Sequence, residues 1–211
     1  MSKNKLYPIF LKLEHKKVLI VGGGLIALQK LVGLLNTDAA ITVLAPTIMD
    51  EVYACKGVFP DIRHIKFIER DYEFEDEKDF DLVIAATDIN ELNNTIANRC
   101  RDQLILVNSV DQMDYCDFYV PSIVDSGDVK IAISTNGKAP ALAQKLRLEL
   151  ERNLDNGFQE LVSKISEFRT KVKKKFDKDS DSRRRMKLVC WYTDREWSKF
   201  QNKERVNVYQ Y

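Results

Sequence analysis

The chain has 211 residues, 45% of them hydrophobic and 31% charged, and its 33 lysines and arginines nearly balance its 32 acids. A domain of that size buries about 70% of the surface its unfolded chain exposes, the composition is that of a globular protein, and no apolar run approaches the roughly 18 to 20 residues that span a bilayer. A membrane-spanning protein is excluded and no membrane partner is expected; with only His15 and His64 present, so is a multi-histidine metal cage, and no residue is assigned as a metal ligand. At the N-terminus Met1 to Lys5 are polar and basic, and "LYPIFLKLEHKK" carries charges within its apolar stretch and lacks a small-residue cleavage site. That is not the pattern of a secretory signal, and a cytoplasmic location is expected.

Five short β-branched runs follow in order: "KVLIV" (17–21), "AITVLA" (40–45), "IKFIE" (65–69), "DLVIAAT" (81–87) and "LILVNSV" (104–110). Between them "IALQKLVGLLN" and "ELNNTIANRCRD" carry apolar residues at helical spacing. Strands alternating with helices predict a parallel α/β sheet, and near-continuous hydrophobicity predicts one covered on both faces.

Between the first strand and the first helix stands Gly22-Gly23-Gly24-Leu25-Ile26-Ala27, which fits G-x-G-x-x-G/A. The first glycine permits a tight turn, Gly24 lets the backbone approach a pyrophosphate, Ala27 leaves room for helix–strand packing, and the helix start offers free N–H groups. Strand before and helix after is the context this motif requires. The second strand ends Leu44-Ala45-Pro46-Thr47, with neither the acidic residue that would hold NAD ribose hydroxyls nor an arginine for a 2′-phosphate, so the choice between NAD and NADP is left open. Ligands of open α/β sheets lie beyond the carboxyl ends of the strands. Ala45 and Pro46, with Thr87 and Asp88 after the fourth strand, are therefore candidate cofactor contacts, and Asn108 to Asp111 after the fifth are favoured positions for ligand contact and chemistry. A carboxylate there can act as general base or metal ligand, or simply cap a turn.

Beyond Asp111 the texture changes. "DFYVPSIVDSGDVKIAIST" predicts a hairpin turning at Asp-Ser-Gly-Asp, and "APALAQKLRLELERNL" a helix with Pro140 in its first turn and Leu142, Leu146, Leu148 and Leu150 available for packing. Ser134, Thr135, Asn136, Gly137 and Lys138 precede that helix. Hydroxyls, backbone N–H groups and a lysine make a cradle for a carboxylate or phosphate, with helix capping as the alternative. From Phe158 onward the chain reads as helices, with bases far outnumbering acids between Lys164 and Lys187, which suggests an anionic partner. Cys55, Cys100, Cys116 and Cys190 are widely spaced without a Cys-x-x-Cys pair, as expected for reduced thiols.

In order and spacing, "YPIFLKLEHKKVLIVGGGLIALQK", "LVIAATDINELN", "LILVNSVD", "CDFYVPSIV" and "IAISTNGKAPALAQKLRLELE" resemble the precorrin-2 dehydrogenase / sirohydrochlorin ferrochelatase family, the N-terminal module of siroheme synthases. The resemblance continues through "KVKKKF" and "SRRRMK" and covers nearly the whole chain. No methyltransferase segment follows, so a stand-alone form is expected. The resemblance implies an NAD-binding Rossmann domain over 1–112, a small α+β dimerisation region over 113–150 and a helical tetrapyrrole-binding region over 151–211. It further implies a homodimer that oxidises precorrin-2 to sirohydrochlorin with NAD in sirohaem biosynthesis; many members also insert ferrous iron. Asp111 falls on the aspartate associated with both steps in the family, and Thr135 where some relatives carry a serine lining the tetrapyrrole site. Gln29, Asn136, Lys138 and Met186-Lys187 depart from the residues usual in the family. A rival reading is an NAD-sensing module whose basic helices contact nucleic acid or a protein partner. The basic run lacks interleaved stacking aromatics, so no nucleic-acid partner is expected.

Overall fold

Alternation along the strands decides how the first part of the chain packs. In a computed structural model, which describes residues 6–58, 65–110, 112–154, 156–176 and 181–208, the chain forms two compact units, Tyr7–Val120 and the part from Pro121 onward. The first holds β1 (Lys17–Val21), β2 (Ala40–Ala45), β3 (Ile65–Glu69), β4 (Leu82–Ala85) and β5 (Leu106–Ser109), all parallel in the order β3-β2-β1-β4-β5. Val18 and Ile20 of β1 join Leu82 and Ile84 of β4 in one core, with Ala27 and Leu31 of α1 (Leu25–Leu34) and Val52 and Cys55 of α2 (Asp50–Val58). Leu19 and Val21 point the other way, with Val83 and Ala85, onto Ile96, Ala97 and Cys100 of α3 (Asn90–Asp102). A period of two in the strands thus meets a helical stripe at positions 93, 96, 97 and 100 of α3. All five predicted strands and the two predicted helices are present; α2 is an element that the hydrophobic pattern did not announce.

The connection from β3 to β4, residues 70–81, joins parallel strands without a helix. Such crossings ordinarily use one. Its place is taken by a buried acid: the Glu77 side chain is fully buried and accepts hydrogen bonds from Tyr72 Oη and from Gln103 Nε2 (2.8 Å), and pairs with Arg99 Nη2 at 2.6 Å. Arg99 in turn lies over the Phe74 ring, 3.5 Å from its centroid. The loop is so fastened to α3 by an ion pair shielded from water.

The second unit opens with the predicted hairpin, β6 (Ser122–Ser126) and β7 (Val129–Ile133), paired Ser126↔Val129 around Gly127 and Asp128. Gly127 has φ +63°, as a two-residue hairpin loop demands of its first position. Helix α4 (Pro140–Asn153) packs on β6, with Pro140 at its start as predicted. Leu142, Leu146 and Leu148, expected to pack, are 51%, 43% and 42% exposed, because α4 turns a narrower face inward around Ala143. Helices α5 (Asn156–Lys175) and α6 (Ser182–Val208) run antiparallel. Phe168 stacks on Tyr192 at 4.0 Å, and Phe158 meets Trp197 and Phe200 nearer the other end.

Burial alone would raise the Glu77 carboxyl, but hydrogen bonds from Tyr72 and backbone, together with Arg99, outweigh it and hold it below the ordinary carboxylate range. Its stabilising contribution is therefore complete above the unfolded value of about 4.3 and is lost as pH falls through the lower folded value. Glu77→Ala, which strands Arg99, is expected to cost about 3–5 kcal/mol in urea denaturation at neutral pH, with the difference from the parent shrinking in acid.

Candidate functional site

The three glycines behave differently. Gly22 has φ +127°, and a Cβ there would sit 2.3 Å from the Ala86 carbonyl oxygen; one at Gly23 would sit 2.2 Å from the Thr47 carbonyl oxygen. Both are pressed against neighbouring backbone. A Cβ at Gly24 meets nothing within 4 Å, so its missing side chain leaves open space. Gly22 N–H donates to Leu44 O at 2.9 Å, Met49 N–H to Gly23 O at 3.0 Å and Ala86 N–H to Val21 O at 2.8 Å, which ties the turn to both flanking strands. Gly24 is the N-cap of α1, and neither a side-chain cap nor an acid in the first turn competes for the leading N–H groups. A cradle of this kind suits a pyrophosphate.

The turn opens onto a cavity of about 580 Å³ at the carboxyl ends of the strands, where the strand order reverses between β1 and β4. That volume lies within the range of small-molecule sites. Gly22, Gly23, Gly24, Leu25, Ile26, Ala45, Pro46, Thr87 and Asp88, the residues expected to meet a cofactor, all line it, as does Thr47. Thr87 is held in place by Asn93 of α3, which is 1% exposed. Asn93 Oδ1 accepts from Thr87 Oγ1 (2.7 Å) and Thr87 N–H (3.2 Å), while its Nδ2 donates to Thr87 O at 2.9 Å. Also lining the cavity, and not anticipated, are the apolar Val21, Ala86, Ile89 and Leu92 and, from the loop after β3, Asp71 and Tyr72. The signal available for the last two was the Arg70-Asp71-Tyr72 step at the end of a strand, hidden in an acidic stretch that reads as a solvated turn.

Asn108 is buried beside this cavity without lining it, and its Nδ2 donates to Phe118 O at 2.9 Å. Its Oδ1 and the neighbouring Ser109 Oγ are buried without a hydrogen-bond partner. Val110 does reach the cavity; Asp111, the next residue, lies outside the described residues. Ser134, Thr135, Asn136, Gly137 and Lys138 belong to the second unit, in the turn from β7 to α4, where Asn136 and Gly137 take φ +56° and +73°. Ser134 Oγ accepts from Asn136 N–H and Thr135 Oγ1 from Ala139 N–H at 3.1 Å. The N-cap of α4 is Ala139 and no side chain caps it, so the two hydroxyls shape the loop rather than the helix end.

Comparison with known proteins agrees with this geometry. A family model described as "Putative NAD(P)-binding" matches residues 9–122, and one described as sirohaem biosynthesis protein central matches residues 127–153. The siroheme synthase of Psychrobacter cryohalolentis is 44% identical over 169 residues, covering 80% of this chain and 32% of that protein. That of Ruthia magnifica is 38% identical over 178 residues, covering 83% and 36%. The chain thus spans about a third of the length of these curated relatives. Among solved structures, SirC, a precorrin-2 dehydrogenase, superposes with a TM-score of 0.71 at 22% identity, covering 93% of this chain and 100% of that one; the fold is shared.

The glycines separate folding from binding. Gly24→Thr, at an N-cap where threonine and glycine are about equally favoured, should leave the unfolding midpoint nearly unchanged, yet weaken NAD+ binding at least about 10-fold by filling the space a pyrophosphate needs. Gly22→Ala should lower stability by more than about 1 kcal/mol through its positive φ and the Ala86 carbonyl. Calorimetric titration and thermal denaturation of both variants test the distinction.

Proposed function

The chain belongs to the NAD(P)-binding family whose model covers residues 9–122, and on that premise we propose that it oxidises precorrin-2 to sirohydrochlorin with NAD, in sirohaem biosynthesis. The observation that carries the proposal is the convergence of nine anticipated cofactor residues on one cavity at the switch point of the sheet. The siroheme synthase relatives and the shared fold of a precorrin-2 dehydrogenase support the substrate. Bound in the cavity, NAD supplies a hydride acceptor. The chain's own part is to fix the dinucleotide through the glycine turn and to take a proton from the substrate. We give that proton to Asp111, which directly follows the cavity-lining Val110 in sequence. Asn108 and the turn Ser134–Lys138 are assigned to the substrate, whose many carboxylates suit the basic stretch of α5 and α6.

The three-part division of the chain, a cytoplasmic location and the lack of nucleic-acid and membrane partners form part of the same reading, as does ferrous iron as a second substrate. So does a homodimer, supported by the leucines that α4 leaves exposed. Leu146→Asp should shift the chain toward monomer in light scattering coupled to size exclusion; an unchanged mass would remove α4 from the subunit contact.

Asp111→Ala is expected to abolish NADH formation from precorrin-2 under anaerobic conditions while NAD+ affinity stays at the parent value. Undiminished turnover would overturn the assignment of the base. Adding ferrous iron to the same mixture and comparing the sirohaem spectrum with a protein-free control reports on metal insertion.

A further inference from the structure

The second strand ends on Ala45-Pro46-Thr47, and neither a carboxylate nor an arginine stands where the 2′ position of a dinucleotide is usually read. The wall next to that strand end supplies one. Arg70 N–H donates to Ala45 O at 3.1 Å, extending the Ala45↔Glu69 pairing one step, so the chain enters the cavity wall at Asp71 beside the end of β2. The Asp71 side chain is exposed, lines the cavity and makes no ion pair among the described residues. The neighbouring cation is already committed. Arg70 forms a two-pronged pair with Asp76 (Nη1–Oδ2 2.7 Å, Nη2–Oδ1 2.6 Å) and also donates to Asp71 O at 2.8 Å.

We propose that Asp71 is the residue that selects NAD over NADP, its carboxylate accepting the adenosine ribose hydroxyls and repelling a 2′-phosphate. The inference rests on the dinucleotide reading of the cavity and specifies how it discriminates. Two observations beyond the position of Asp71 support it. Among the described lining residues there are two carboxylates, Asp71 and Asp88, and no lysine or arginine, so a phosphate added at the 2′ position finds like charge and no counter-ion. The carboxylate is also presented by a rigid segment, because the bonds of Arg70 to Asp76 on one side and of Tyr72 to the buried Glu77 on the other hold its backbone. Arg70 lowers the Asp76 carboxyl from its usual range, so the clamp persists through the neutral region. A charged acceptor on a fixed backbone is the device that ribose recognition requires.

Titration calorimetry of the full chain with NAD+ and with NADP+ tests this. The parent should bind NAD+ at least about 10-fold more tightly than NADP+, Asp71→Asn should weaken NAD+ by about 10-fold and erase most of the preference, and Asp71→Arg should reverse it. Because the side chain is exposed and unpaired, both variants should melt with the parent, which separates recognition from folding. A ratio of the two dissociation constants that stays at the parent value in both variants overturns the role of Asp71 while leaving the cavity a dinucleotide site. A parent chain that binds neither dinucleotide overturns the reading beneath it.

Discussion

Backbone crowding at the glycine turn is the constraint on which the cavity depends. Gly22 and Gly23 are wedged against the carbonyl groups of Ala86 and Thr47, so the ends of β1, β2 and β4 are brought together at distances no side chain could share. Backbone hydrogen bonds from Gly22, Met49 and Ala86 then close the seams on both sides. The result is a floor made almost wholly of main chain. Only Gly24, one step further, is left unopposed, and the vacant Cβ position is where a ligand's phosphates can come close to helix α1.

Above that floor, a single helix positions both walls. At its N-terminal end α3 presents Asn93, which fixes Thr87 and with it the wall that follows β4. Toward its C-terminal end Arg99 and Gln103, the residue just beyond it, grip Glu77, which holds Tyr72 and the wall that follows β3. Isolated buried charges are costly, and this one is tolerated because each carboxylate oxygen has a donor. The same arrangement explains how a parallel crossing manages without a helix of its own: the connection borrows α3 as its support. Geometry needed for binding and geometry needed for folding are consequently carried by the same few polar contacts.

What could be read from the residues follows from the range of the interactions. Strand alternation, the glycine fingerprint and Pro140 are local signals, and the strands, the turn and α4 form where those signals stand. The nine cavity residues were legible too, because the rule that ligands lie beyond strand ends needs only strand positions. Helix α2 was not, since "DEVYACKGV" lacks a pronounced apolar stripe and is placed by the buried Val52 and Cys55 with the partly buried Tyr53 against Phe67 of β3. Asp71, Tyr72 and Glu77 were hidden for a different reason. In a stretch as acidic as "ERDYEFEDEKDFD" every carboxylate looks solvated, and only the distant Arg99 and Gln103 reveal that one of them is buried. Leucines of α4 show the opposite failure: helical spacing correctly gave an apolar face, but not whether this chain itself covers it.

The two units differ in the size of the buried core each builds, although both leave large hydrophobic side chains exposed. The first encloses its sheet between α1 and α2 on one side and α3 on the other, and β1, β2, β4 and β5 are largely buried while the edge strand β3 is not. Among the described residues of the second, Val124, Ala143, Leu161 and Val172 are the buried hydrophobic ones, while Leu142, Leu146, Leu148, Met186, Trp191 and Trp197 stay exposed. A hairpin with one helix on it and a helical pair joined by a few aromatic contacts bury too little to be indifferent to their surroundings. Their apolar faces call for a cover and their basic stretches for an anion. The glycine-turn cavity is lined wholly by residues of the first unit, whereas the described part of the second presents exposed apolar faces and basic stretches around a small core.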